Sequence, residues 1–249
     1  MLLAIFFLVT AALYSSVGFG GGSTYLALLL IWGVPYFIFP VIALSCNIIV
    51  VSGNCFNYIR AGNLNLKLLT PYLIGSIPLS YLGGSLLIEK ELFEILLFIV
   101  LATAGILLLF NFRSYDDKDS SYRKIPIFFS ILIGGLLGFV SGVVGIGGGI
   151  FLSPILFLIR ADKPKHIVTV ASLFILINSV FGIFGQLTKN NVLTELQNYW
   201  YLLAAVLIGG QIGNFLNLKI FPSRILALIT AFLVILVSLR IGARLGGIF

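Results

Sequence analysis

Long apolar runs fill the chain, and two clusters of glycine interrupt them. Runs able to cross about 30 Å of hydrocarbon at about 1.5 Å per residue lie near 36–59, 68–88, 92–112, 125–144, 167–187, 199–218 and 221–240. Residues 2–17 form a slightly shorter one. The first interruption is Gly18-Phe19-Gly20-Gly21-Gly22-Ser23, and it returns 127 positions later as Gly145-Ile146-Gly147-Gly148-Gly149-Ile150. Each glycine inside a helix costs about 1 kcal/mol relative to Ala. What it offers in exchange is access to backbone angles closed to other residues and the close approach of another backbone or a ligand. The runs after the breaks, about 20–32 and 147–159, are too short to span. They predict half-helices or re-entrant arms with about ten residues of regular helix, or about 15 Å.

These segments sort into five per half around one charged stretch, 113–124. The pattern predicts an all-α polytopic membrane protein with a single transmembrane domain over 1–249, made of a first repeat (about 1–112), a linker and a second repeat (about 125–249). Five is odd, so the second repeat must be inverted relative to the first, as in many transporters. Composition agrees, with 60% hydrophobic and 9% charged residues, against about a quarter charged in soluble domains. The 15 Lys and Arg set topology rather than bind nucleic acid. With ten segments, eleven of them fall on one side, Arg60, Lys163 and Lys165 included, and four on the other, Lys90, Lys189, Arg240 and Arg244. That bias puts both termini on the non-cytoplasmic side. The count does not separate a re-entrant hairpin from two crossings, since a hairpin returns to its starting side.

The repeat extends past the glycines. At the same offset Ser45 falls on Ser172, Ser52 on Ser179 and Asn63 on Asn190, and with a small insertion Gly83 falls on Gly213. Seven residues is close to two helical turns, so Ser45 and Ser52 share a face, as do Ser172, Ser179 and Gln186. Asn47, Asn54 and Asn57 take roughly the opposite side of the first of these helices. Such serines either let membrane helices pack and hydrogen-bond or form polar walls of a shared cavity.

A helix that starts just after Gly20-Gly21-Gly22 presents unpaired N–H groups and the positive end of its dipole, an anion site without a buried cation. Ser23 and Thr24 add hydroxyl donors there, and Gly147, Gly148 and Gly149 repeat the arrangement. If the two arms point at each other near the midplane, a small anionic substrate can sit between them. The candidate binding residues are therefore Gly20, Gly21, Gly22, Ser23, Thr24, Ser45, Asn47, Ser52, Gly147, Gly148, Gly149, Ser172 and Ser179. The rival reading is that the glycines only allow close helix crossing.

All eight acidic residues lie in loops or at segment ends, so no intramembrane carboxylate relay is visible. His166, beside Lys163 and Lys165, reads as interfacial. One His and peripheral carboxylates assemble no catalytic constellation, and the glycines match neither a phosphate loop nor a dinucleotide fold. We expect no enzyme, no cofactor and no metal. Cys46 and Cys55, nine positions apart on one helix, are about 13 Å apart along its axis and cannot pair. Residues 1–17 lack a basic leader region and read as retained. Expected partners are the lipid bilayer and a small anion, with a homo-oligomer left open.

These residues resemble the sulfite exporter TauE/SafE family of membrane permeases. The resemblance rests on Ser15-Ser16-Val17-Gly18-Phe19-Gly20-Gly21-Gly22-Ser23 with the serine helix around Ser45 and Ala61-Gly62-Asn63. It recurs in Gly138-Phe139-Val140-Ser141-Gly142-Val143-Val144-Gly145-Ile146-Gly147-Gly148-Gly149 with Ala171-Ser172. It implies transport, commonly export, of sulfite, sulfonates or related organosulfur oxyanions across a bacterial inner membrane. The chain departs from the family pattern at Asn47, Asn54 and Asn57, and at Thr188-Lys189-Asn190, where the second Ala-Gly-Asn is degraded. An anion channel and a membrane scaffold without transport are the alternatives to a carrier.

Overall fold

The computed structural model describes residues 1–16, 18–110, 122–123, 125–189, 192–216 and scattered positions between 232 and 243. Most of the linker, Asn190 and most of the run at 221–240 lie outside the described residues. The elements are helices: α1 Leu2–Ser15, α2 Gly22–Ile31, α3 Phe39–Arg60, α4 Leu66–Ser85, α5 Lys90–Phe110, α6 Ile127–Val144, α7 Gly149–Leu158, α8 Pro164–Gln186, α9 Val192–Leu196 and α10 Trp200–Leu216. Among the described residues, Tyr36–Arg60, Ile127–Val144 and Pro164–Gln186 are each long and apolar enough to cross a membrane.

The two glycine breaks take the same backbone form. Both short helices have ten residues and begin 127 positions apart, at Gly22 and Gly149. Each is preceded by a left-handed glycine, Gly21 at φ 83° and Gly148 at φ 74°. A side chain there would push Cβ toward its own carbonyl, which is why glycine ends one helix and starts the next. α1 and α2 fold back on one another, with the Phe6 and Trp32 rings 5.4 Å apart and the Tyr14 hydroxyl 2.7 Å from Thr24 Oγ1.

Helices from the two halves interlock through small residues, since without water between them membrane helices associate by close packing. Gly134, Gly138 and Gly142 of α6 lie against the backbone of Tyr72, Ser76 and Ser80 of α4. The pairs advance together by four, so the two helices run parallel and in one register. A Cβ added to Gly138 would sit 2.6 Å from Ser76 Cα. α1 and α10 repeat this contact, Gly209 lying against the Leu8 carbonyl and Gly213 against that of Ala12, while Ser15 Oγ donates to the Gly210 carbonyl at 2.9 Å. Gly83 likewise meets the carbonyl of Phe139, the residue 127 positions beyond Ala12. α4 also packs on α8, where Ser80 Oγ donates to the Asn178 carbonyl at 2.8 Å. α3 packs on α10, where a Cβ on Gly53 would meet Asn214 Nδ2 at 2.8 Å. α3 and α8 cross at the centre in opposite directions.

The outward faces stay apolar: Phe128, Phe129, Leu132 and Leu136 of α6 are all more than half exposed. Such a stripe has no place in water and fits lipid. One end of the bundle gathers the loops after α3 and α7 and Arg123 near the end of the linker, with Asn65 Nδ2 donating to Asp162 Oδ2 at 2.6 Å and the Arg123 N–H to the Arg160 carbonyl at 3.1 Å. We call this the linker face. The loops after α2, α4 and α8 meet at the other end, the terminal face.

Candidate functional site

The two breaks meet at the centre of the bundle. A Cβ on Gly22 would lie 2.7 Å from the Ile146 carbonyl oxygen, so the start of α2 abuts the second break directly. From this junction α2 leads toward the terminal face and α7 toward the linker face, and their N-termini therefore face one another. Neither has a side-chain cap, so their first-turn N–H groups and the positive ends of both dipoles converge.

Asn47 of α3 stands between them. Its side chain is fully buried, with Oδ1 against Gly20 and Nδ2 within 2.8 Å of the positions a Cβ would take on Gly22 and Gly147. Neither end of the amide has a hydrogen-bond partner among the described residues. A buried amide without partners costs about 1–3 kcal/mol, so a residue of this kind marks a place where something polar belongs. Ser172 of α8 ties the halves together, its hydroxyl within reach of the Gly18 carbonyl and 2.9 Å from that of Val168.

The other residues expected at the site divide. Ser23 Oγ and Ser179 Oγ are buried and without partners among the described residues. Thr24 is taken by Tyr14, and Gly21 packs on Tyr14, Tyr25 and Thr10. Gly148 packs on the Phe174 ring, and Gly149 on Ile175 and the Ala171 carbonyl. Ser45 is half-buried, whereas Ser52 is exposed and donates to the Ile48 carbonyl at 2.6 Å. The junction thus gathers Gly20, Gly22, Asn47, Gly147 and Ser172, and Ser52 faces away from it.

In this conformation the junction is closed: Gly20–Thr24 and Gly145–Gly149 are all buried. Among the described residues no cluster of His, Cys, Asp or Glu could hold a metal ion.

Sequence reading set Gln186 on the face of Ser172 and Ser179 without counting it among the binding residues; it is fully buried and its Nε2 donates to the Gly142 carbonyl at 2.7 Å. Lys189 was likewise left out of the binding residues, and its Nζ donates to Gln186 Oε1 at 2.8 Å. The available signal was the offset itself, which sets Lys189 where the first half has Gly62.

Compared with known proteins, the chain matches the family described as sulfite exporter TauE/SafE over residues 2–241. It is 27% identical over 243 residues to the probable membrane transporter protein y4hK of Sinorhizobium fredii, covering 96% of each chain. It is 24% identical to the probable membrane transporter protein YunE of Bacillus subtilis, covering 95% of each. With the probable membrane transporter protein MJ0441 of Methanocaldococcus jannaschii it shares 26% identity, over 93% of this chain and 91% of the other. No solved structure matches.

Proposed function

The chain belongs to the sulfite exporter TauE/SafE family, and from that premise we propose that it is a secondary permease for small oxyanions of the sulfite and sulfonate class. Two inverted repeats alternate access to a site at the junction of the breaks, where the ion is held by helix N-termini, the Asn47 amide and serine hydroxyls rather than by a buried Lys or Arg. The observation that carries this reading is the unpartnered Asn47 amide, buried between two uncapped helix starts. A donor group and two positive dipole ends in a dry site favour an anion over water. On this reading the Lys- and Arg-rich linker face is cytoplasmic, both termini lie outside and the membrane is the bacterial inner membrane.

The test is flux of labelled sulfite, sulfoacetate and sulfate in proteoliposomes, for the native chain, Gly21→Leu and Ser172→Ala. Gly21→Leu, forced into left-handed backbone, abolishes flux while the protein still inserts; full flux by that variant removes the junction from the mechanism. Accelerated exchange against unlabelled substrate on the far side marks a carrier. Flux without such counterflow marks a channel.

A further inference from the structure

On the terminal face a cavity of about 330 Å³ opens beside the second break, lined by Tyr36, Phe37, Ser85, Leu87, Phe93 and Lys189 among others. Pro40 and Val143 form its inner wall, and the Cβ position of Gly145 meets the Pro40 backbone. The cavity therefore ends where the glycine break begins. Its size matches the lower end of small-molecule sites. Its walls are apolar and aromatic, with a single cation and no carboxylate among the lining residues.

Lys189 is fixed in place. Its ammonium has three donors, and Gln186 Oε1 takes one at 2.8 Å. Gln186 is anchored in turn by its bond to the Gly142 carbonyl. Two donors remain without partners among the described residues and have the cavity before them. Ser85 and Thr188 spend their hydroxyl protons on the Leu82 and Gly185 carbonyls, so they can accept but not donate. The charge of the cavity thus belongs to Lys189. The duplication adds an independent point: at the matching place in the first half stands Gly62, with nothing within 4 Å. The cation is an addition to one side only.

We propose that this cavity binds a small organic anion, an acid group on Lys189 with a short apolar substituent against Phe37, Leu87 and Phe93, and that it is the terminal-face antechamber of the junction. As an antechamber it rests on the transport reading; as a binding site it does not. A sulfonate with a short alkyl chain satisfies both walls and cation, whereas sulfate satisfies only the cation. An anionic lipid headgroup presents the same chemistry from the bilayer, and the test separates the two.

Burial pulls the Lys189 ammonium down to about 8. Tyr36, in the turn just before α3, is the other titratable group in the lining. The Lys90–Glu94 pair on α5, 4.0 Å apart, lies beside Phe93 and outside the lining. Anion binding is therefore strong at pH 7 and fades as pH rises through about 8 to 9.

The experiment is calorimetric titration of the purified full chain in detergent with sodium ethanesulfonate, sodium sulfate and ethylammonium chloride, using native protein, Lys189→Met, Lys189→Arg and Asn47→Leu. Ethanesulfonate binds more tightly than sulfate, and ethylammonium does not bind. Lys189→Met weakens ethanesulfonate by about tenfold or more, the loss expected for a charged hydrogen bond, while Lys189→Arg retains binding and removes its decline at pH 9. Asn47→Leu, at the junction, retains binding in the cavity while its flux falls by tenfold or more. Unchanged affinity in Lys189→Met overturns the proposal. So does complete competition by phosphatidylglycerol in nanodiscs together with no uptake of ethanesulfonate, which assigns the cavity to lipid. Native-like binding with no flux of any anion leaves the site standing and sinks the transport reading alone.

Discussion

Asn47 and Phe174 occupy equivalent places in the two halves, 127 residues apart, and only one of them is polar. The Asn47 amide lies against Gly20 and Gly147, while the Phe174 ring packs on Gly148. The same exchange recurs at Asn54 and Phe181 and at Asn57 and Phe184. The two breaks thus match in backbone and differ in chemistry. Two helix starts supply matching dipoles, and a single unpartnered amide lies between them.

Replacing Asn47 with Leu removes both unpartnered ends of the amide at nearly constant volume. Relief of a buried, unsatisfied polar group is worth about 1–3 kcal/mol, so the variant unfolds at higher temperature than the native chain in detergent. Its anion flux falls by tenfold or more, on the order expected for one lost hydrogen bond to a charge. A scan of thermal stability beside a flux assay checks both. Lower stability with unchanged flux shows that the amide serves packing and not the ion.

The glycines along α6 and α10 are a separate matter of space. Gly138→Leu drives a side chain into Ser76, and Gly213→Leu drives one into Ser15, where even a Cβ would sit 2.8 Å from that residue's own Cβ. Parallel helices cannot separate on one side alone, so each variant loses about 3 kcal/mol or more by overpacking. Gly62→Ala meets nothing within 4 Å and has only its φ of 73° to contend with, a cost of about 1–2 kcal/mol. Detergent melting curves should rank Gly62→Ala well above the two leucine variants. Equal losses would show that backbone freedom, not contact, sets these positions.

The contrast between Asn47 and Ser52 shows what a sequence can and cannot disclose here. The offset of 127 located both ten-residue arms and the predicted run at 36–59 became α3 at Phe39–Arg60, because helix breaking and helix length are local properties. Periodicity also placed Ser52 and Asn47 on different faces of α3. It could not say which face turns inward, since lipid and protein interior are both apolar and hydropathy alone does not orient a helix between them. The serine stripe left packing and a cavity wall equally open; Ser52 faces outward, and Asn47 is buried at the junction. Lys189 and Gln186 were equally hard to read, because their meeting with Gly142 joins α6 to the end of α8.

On the linker face Asp162 fastens the loop after α7 to the loop after α3. Its carboxylate accepts from Asn65 Nδ2 at 2.6 Å and from the Lys163 N–H at 2.7 Å, and His166 Nδ1 lies 2.9 Å away. Asn65 also caps α4, its Oδ1 accepting from the Leu68 N–H at 3.2 Å, so one amide serves helix and strap together. Burial alone would raise the carboxyl, but the Asn65, Lys163 and His166 contacts outweigh it and hold it below the usual carboxylate range. A group whose folded value is depressed contributes stability that is fully present above its unfolded value of about 4 and is lost as pH falls through the folded one. Asp162→Asn therefore melts below the native chain at pH 7, and the two curves converge as pH drops below about 4. Melting temperatures from pH 7 to pH 3 measure this directly; a gap that stays constant across the range would mean that the strap does not depend on the carboxylate's charge.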